Sequence, residues 1–199
     1  MKFFAWILGI SLLILPFHSD AQSRGRSRTK ARPRIRPAAA APTPTPAQYY
    51  QTAYQHILRS PEFEEYRRPC VAVFDSLVFQ DLVTFSDALR TEWRFPQTFP
   101  QVQLLDSLFR MDERAAYKPS YSPVVAKMTA ASGAQKDCSV VIFSRLGKNM
   151  LLAEVSTNLE GGARVRDVLS TDNKTVRYLL FFGPDGKVKQ YYTKVLNYD

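Results

Sequence analysis

Chemistry near neutral pH usually draws on an imidazole, an activated thiol, a metal ion or a pair of carboxylates. The chain holds two histidines and two cysteines. His18 falls inside an N-terminal export signal, which leaves His56 as the one imidazole of the mature chain. A Ser-His-Asp triad or a histidine-based metal site would rest on it alone. It stands beside Ile57 and Leu58 on a helical stripe, where a partly exposed structural histidine is expected. Cys70 with His56 as its base would make a nucleophilic pair, provided the thiol is free and its pKa depressed. The alternative is a Cys70–Cys138 disulfide, and an even pair of cysteines in an exported domain favours that bond.

Carboxylates are plentiful. Glu62, Glu64 and Glu65 cluster, as do Asp112 and Glu113. Two carboxylates facing across a cleft hydrolyse glycosides, but charges grouped on amphipathic helices read as solvated faces. Glu154 differs, because it interrupts Leu-Leu-Ala-Glu-Val within a strand. Period-2 alternation puts it with Leu152 and opposite Leu151, Ala153 and Val155, so it reads as an outward carboxylate on a half-exposed strand. The chain carries no His-Glu-x-x-His, Gly-x-Ser-x-Gly, Walker loop or dinucleotide fingerprint. Gly161-Gly162 reads as a loop, and no catalytic residue, metal or cofactor is assigned. Aromatics gather near the C-terminus at Tyr178, Phe181, Phe182, Tyr191, Tyr192 and Tyr198. The phenylalanines suit a core, while Tyr191 and Tyr192 alternate faces and offer a surface to a partner.

The elements that position these residues are read from apolar spacing. Residues 138–144 and 150–155 form one β-hairpin, and residues 175–182 and 187–195 form a second around Gly-Pro-Asp-Gly. Pro184 sets φ and Gly186 closes that turn. Upstream, Tyr50, Tyr54, Ile57 and Leu58 mark a helix over 49–59, and Ser60-Pro61-Glu62 opens a short second one. Phe74, Val78, Leu82, Phe85, Leu89 and Trp93 step by three or four, which predicts one long amphipathic helix whose beginning could instead be a strand. Another helix follows Pro100 with Val102, Leu105, Leu108 and Phe109 inward, and Val124–Ala131 has room for a short one. The fold class is α+β: a single domain in which N-terminal helices cover one face of a four-stranded antiparallel meander made of two consecutive hairpins.

Outside that domain the chain changes character twice. Residues 1–21 are a signal peptide by their anatomy: Lys2, an apolar run from Phe3 to Leu15, Pro16, then Ser19-Asp20-Ala21 for cleavage. The apolar run is too short to span a bilayer. Residues 22–47 form a basic, proline-rich arm and spacer carrying Arg24, Arg26, Arg28, Lys30, Arg32, Arg34 and Arg36, with Ile35 as its one large aliphatic residue. Such a segment buries too little to offset its ordering entropy and is expected to be disordered. The whole chain has net charge +9, but residues 48–199 keep nineteen basic against seventeen acidic groups, a net of +2. The high pI therefore belongs to the arm, and the domain itself offers no nucleic-acid surface.

Three function classes remain. The first is an exported, non-catalytic binding or envelope-associated accessory module of the periplasm, envelope or medium, tethered by its basic arm. Its partner would be an anionic envelope component or another exported protein. The second is a secreted hydrolase using carboxylates or Cys70. The third is a nucleic-acid or other polyanion binder acting through the arm, whose cations suit phosphate but which lacks an aromatic for stacking and follows an export signal. The scarcity of catalytic side chains favours the first.

Overall fold

The computed structural model describes residues 43–133, 135–169 and 174–198. The expected signal peptide and the cations of the expected arm lie outside the described residues. Helix α1 (Pro46–Arg59) starts inside the expected spacer, two residues before the expected domain boundary. Thr45 is its N-cap, and a capping box with Gln48 satisfies the first free backbone amides. Tyr50, Ala53, Tyr54 and Ile57 form its buried stripe. A 3-10 turn over Pro61–Tyr66 follows, in place of a capped second helix. Ser60 turns its hydroxyl away from that turn, toward Ile57 O and the Tyr178 hydroxyl.

The predicted long helix over 74–93 is not formed. The segment divides instead into β1 (Cys70–Val73), β2 (Ser76–Leu77), a 3-10 turn at Val83–Phe85 and the short helix α2 (Ser86–Glu92). A three-to-four residue apolar step is also satisfied by a strand, a turn and a helix that all face one core. Helix α3 (Gln101–Ala115) forms after Pro100, but its buried side is Leu104, Leu108 and Asp112, while Val102 and Phe109 are exposed. Strand β3 (Ser120–Tyr121) pairs with β2, and α4 (Pro123–Ala126) is one turn long.

The C-terminal third contains the two expected hairpins, β4 (Cys138–Phe143) with β5 (Met150–Asn158) and β6 (Lys174–Phe182) with β7 (Val188–Asn197). A short helix α5 (Val165–Val168) lies in the connection that reads as a glycine loop. The turn of the second hairpin places Gly186 at φ 74°, the left-handed region that glycine enters without strain. A Cβ there would also stand 2.8 Å from the Pro44 ring.

The class is α+β, but the sheet has five strands, ordered β1-β4-β5-β6-β7, and β1 runs parallel to β4 while the other pairs are antiparallel. Both faces are covered, where one was expected. On the first face Val141, Phe143, Leu151, Ala153, Val155, Val176, Tyr178 and Leu180 pack under α1 and the first 3-10 turn. On the second, Leu152, Leu179 and Phe181 pack under α2 and α3, and Val140 and Ile142 pack with Phe74 and Val168. That second cover decides the environment of every polar side chain pointing the same way.

Candidate functional site

Cys70 and Cys138 are disulfide-bonded, with Cα atoms 4.5 Å apart at the first register position of β1 and β4. The bond links two neighbouring strands of the sheet and leaves Cys70 no free thiol for nucleophilic chemistry. His56 faces Tyr191 edge to face, ring centres 4.6 Å apart. Burial lowers its pKa, and the nearby Glu62 carboxylate opposes that effect. Among the described residues His56 Nε2, Glu62 Oε2 and Tyr66 Oη are buried without hydrogen-bond partners. Glu64 is spent on Arg67 and Glu65 on Lys174, both as exposed ion pairs.

Glu154 is not outward. It is 1% exposed on the second face, because α2 and α3 cover that face. Its neighbour across the β5–β6 ladder is Arg177, whose Nε and Nη2 donate to Glu154 Oε2 at 3.0 and 2.9 Å. Thr175 Oγ1 and Tyr198 Oη donate to Glu154 Oε1 at 2.7 and 2.6 Å. Arg177 Nη1 donates to Asp81 Oδ2 at 2.8 Å, and Asp81 also accepts from Thr84. Burial favours loss of the Arg177 charge, yet Glu154 and Asp81 more than offset it and hold the guanidinium protonated. Tyr198 is pushed up to about 12 by burial first and then by Glu154, so its hydroxyl stays a donor. Burial raises Asp81, but the Thr84 bonds and the Arg177 charge outweigh it and leave its carboxyl below the ordinary range. Sequence spacing pairs neither Asp81 nor Tyr198 with Glu154. The sequence shows only that Leu152 and Glu154 share a face of the strand.

Beside this network a cleft of about 270 Å³ opens between the end of α3 and the β4–β5 hairpin. Phe79, Leu82, Tyr117, Leu146, Met150 and Leu152 supply most of its wall. Its polar lining comes from Gln80, Asp112, Ser144 and Arg145. Asp112 sits on α3 where an apolar residue would be expected, and its carboxylate accepts the Leu82 N–H at 2.9 Å and the Val83 N–H at 3.1 Å. It thereby caps the 3-10 turn leading into α2. Burial raises its pKa, and those two N–H donors hold the rise in check. Gln80 donates to Ile142 O at 3.0 Å, while its Oε1 is buried without a partner among the described residues.

The rim is built around Arg145. Its guanidinium lies 4.0 Å above the Tyr117 ring, and its backbone N–H donates to Tyr117 Oη at 2.7 Å. Among the described residues no carboxylate pairs with Arg145. The Tyr50 hydroxyl fixes the hairpin loop beneath it, donating to Ser144 O and accepting from Leu146 N–H, each at 3.1 Å. Thus a residue of α1 holds the Ser144–Leu146 loop that lines the cleft.

Of the two tyrosines expected to form a partner surface, Tyr191 is half-buried against His56, and Tyr192 donates to Glu92 at 2.8 Å while packing on Phe181. They lie on opposite faces of β7. Among the described residues no group of three metal-ligating side chains converges, and no helix is long and apolar enough to cross a membrane. No protein-family model, curated protein or solved structure matches the chain.

Proposed function

We propose that this protein is an exported, non-catalytic binding module, cleaved near Ala21 and tethered or steered by the cations of residues 22–47. The cleft under Arg145 would be its ligand site. The observation that carries this reading is the pairing of an apolar wall with a preorganised cation that no carboxylate meets among the described residues. Leu82, Leu146, Met150 and Leu152 lie below, and a guanidinium clamped on Tyr117 lies at the rim. A site of this kind suits an amphiphile, with one hydrocarbon chain in the cleft and an anionic head on Arg145. Its volume, about 270 Å³, lies at the small end for ligand pockets and favours a single chain over a polycyclic body.

The carboxylates near the cleft are committed elsewhere, which weighs against the hydrolase. Glu154 accepts from Thr175, Arg177 and Tyr198, and Asp112 accepts from two backbone amides. Calorimetric titration of the mature chain with decanoate tests the proposal. The heat should saturate, and Ala115→Trp, at an exposed position on the cleft wall, should abolish it. Arg145→Glu should weaken the carboxylate by about tenfold, the ~1.4 kcal/mol of one lost charge contact. The same variant should leave the matching alcohol unaffected. Equal binding by wild type and Ala115→Trp would refute the site.

A further inference from the structure

We propose that the outer edge of β7 takes an extended, acidic segment of another protein as a sixth strand of the sheet. β7 ends the strand order and spans ten residues, and no described strand pairs with its far side. The backbone groups that face away from the sheet follow from the ladder. Phe182 donates its N–H to Asn149 on the β5 side, and Gly183 donates to Lys187 on the β7 side. Alternation therefore turns Thr175, Arg177 and Leu179 toward β7, where they stand opposite Leu196, Lys194 and Tyr192. The N–H and C=O groups of Tyr191, Thr193 and Val195 point outward. Tyr191 thus presents its main chain to a partner while its ring is occupied by His56.

Strand addition draws affinity from such main-chain groups and specificity from hollows that receive alternate side chains. β7 has a hollow on each face. One, of about 330 Å³, lies between Val188 and the Thr52, His56 and Arg59 side of α1. The other, of about 360 Å³, lies between Tyr192–Lys194 and the Ala88 side of α2. Val195 adds an exposed apolar side chain at 49%.

Charge selects the occupant. β7 itself carries Lys189 and Lys194 and no carboxylate, neither lysine is ion-paired among the described residues, and the carboxylates that touch the strand, Glu62 and Glu92, accept from Thr193 and Tyr192. Edge lysines guard a sheet against pairing with its own copies, and here they disfavour both a second β7 and the protein's own arginine-rich arm. An acidic strand meets the opposite condition. Thr43 and Pro44 lie beside the Asp185–Lys187 turn at one end of β7, so an acidic partner running along β7 toward that turn would reach the end of the proline-rich spacer.

The test is fluorescence anisotropy of the mature chain with a labelled ten-residue peptide of alternating glutamate and valine. The controls are its lysine–valine counterpart and a copy N-methylated at alternate amides. The acidic peptide should bind at least tenfold more tightly than either control. Val195→Pro removes one outward N–H and leaves the β6 side of the ladder intact; it should weaken the acidic peptide about tenfold at an unchanged melting temperature. Lys189→Glu with Lys194→Glu should narrow the preference for the acidic over the basic peptide about tenfold relative to wild type. The arm attracts the acidic peptide in every form, so the differences between forms carry the result. Equal binding of the N-methylated peptide, which needs no folded variant, would overturn the proposal. So would a dimer of the mature chain that Val195→Pro dissociates, which would assign the edge to a second copy.

Discussion

Replacing Arg177 by leucine should cost far more stability than replacing its partner, although each change removes the same ion pair. The guanidinium is buried and serves Glu154 through two bonds of 3.0 and 2.9 Å, Asp81 through one of 2.8 Å, and Thr84 and Tyr198 at 3.3 and 3.2 Å. Without it, among the described residues Glu154 at 1% exposure keeps the Thr175 and Tyr198 hydroxyls alone, and a buried carboxylate loses its counter-charge. Stranding one member of a buried pair costs about 3–5 kcal/mol, and Arg177→Leu belongs at the upper end. Glu154→Leu leaves the guanidinium with Asp81 and Thr84 and belongs at or below ~3 kcal/mol. Asp81→Ala should cost ~1 kcal/mol or less, because that side chain is 38% exposed and solvent screens its pairing. Adding Glu154→Leu to Arg177→Leu should restore stability, since two apolar side chains strand no charge. Urea unfolding of residues 22–199 with the disulfide intact at pH 7 reads all four variants. In thermal melts the Arg177→Leu loss corresponds to roughly 10–15 °C for a domain of this size. A double variant less stable than Arg177→Leu alone would refute the reasoning, as would equal costs for the two single changes.

Three further expectations rest on other parts of the fold. Cys70→Ser with Cys138→Ser should lower stability by about 4 kcal/mol in the chain-entropy account, because the bond closes a loop of 68 residues; denaturant unfolding of oxidised and variant protein measures it. Deleting residues 22–41 should leave the melting temperature unchanged, whereas deleting 22–47 removes the Thr45 cap and the first residues of α1 and should cost about 1–2 kcal/mol, which calorimetry separates. Asp112 has a raised folded pKa, so its ionisation opposes folding: stability is lost as pH rises from the unfolded value of 3.8 through the raised folded one. Asp112→Asn removes that loss, and its stability should climb more steeply between pH 3 and 6 than that of wild type. A parallel pair of curves in urea titrations would contradict this assignment.

Much of the frame could be read from local patterns. The hairpins announce themselves through short β-branched and aromatic runs and through Pro184 and Gly186, and the disulfide follows from an even cysteine count in a chain whose first residues read as an export signal. The apolar stripe of α1 is a single-element property as well. The misreadings have one physical origin. Phe74, Val78, Leu82, Phe85, Leu89 and Trp93 share a helical spacing, but Phe74 follows β1, which pairs parallel with β4 across 68 residues of chain. Local spacing cannot distinguish one helix from three elements that bury side chains in the same direction, because the choice is settled by a nonlocal ladder.

The same nonlocality governs the chemistry. A carboxylate at every second position of a strand normally signals water, and Glu154 follows that rule only while one face of the sheet is bare. Once β1 joins the sheet and α2 and α3 close over the second face, its surroundings change from solvent to protein. The charge then has to be met from within. Arg177 answers across the β5–β6 ladder, Asp81 from the loop before α2, and Tyr198 from the C-terminus. These three come from regions 23, 73 and 44 residues away from Glu154, so no window of sequence contains the network. Asp112 follows the same logic on α3: its place in the buried stripe looks like an error of amphipathicity until the amides of Leu82 and Val83 arrive opposite it. Both carboxylates are structural because of what folds against them, and that frees the cleft beside them to be read by its apolar wall and the cation at its rim.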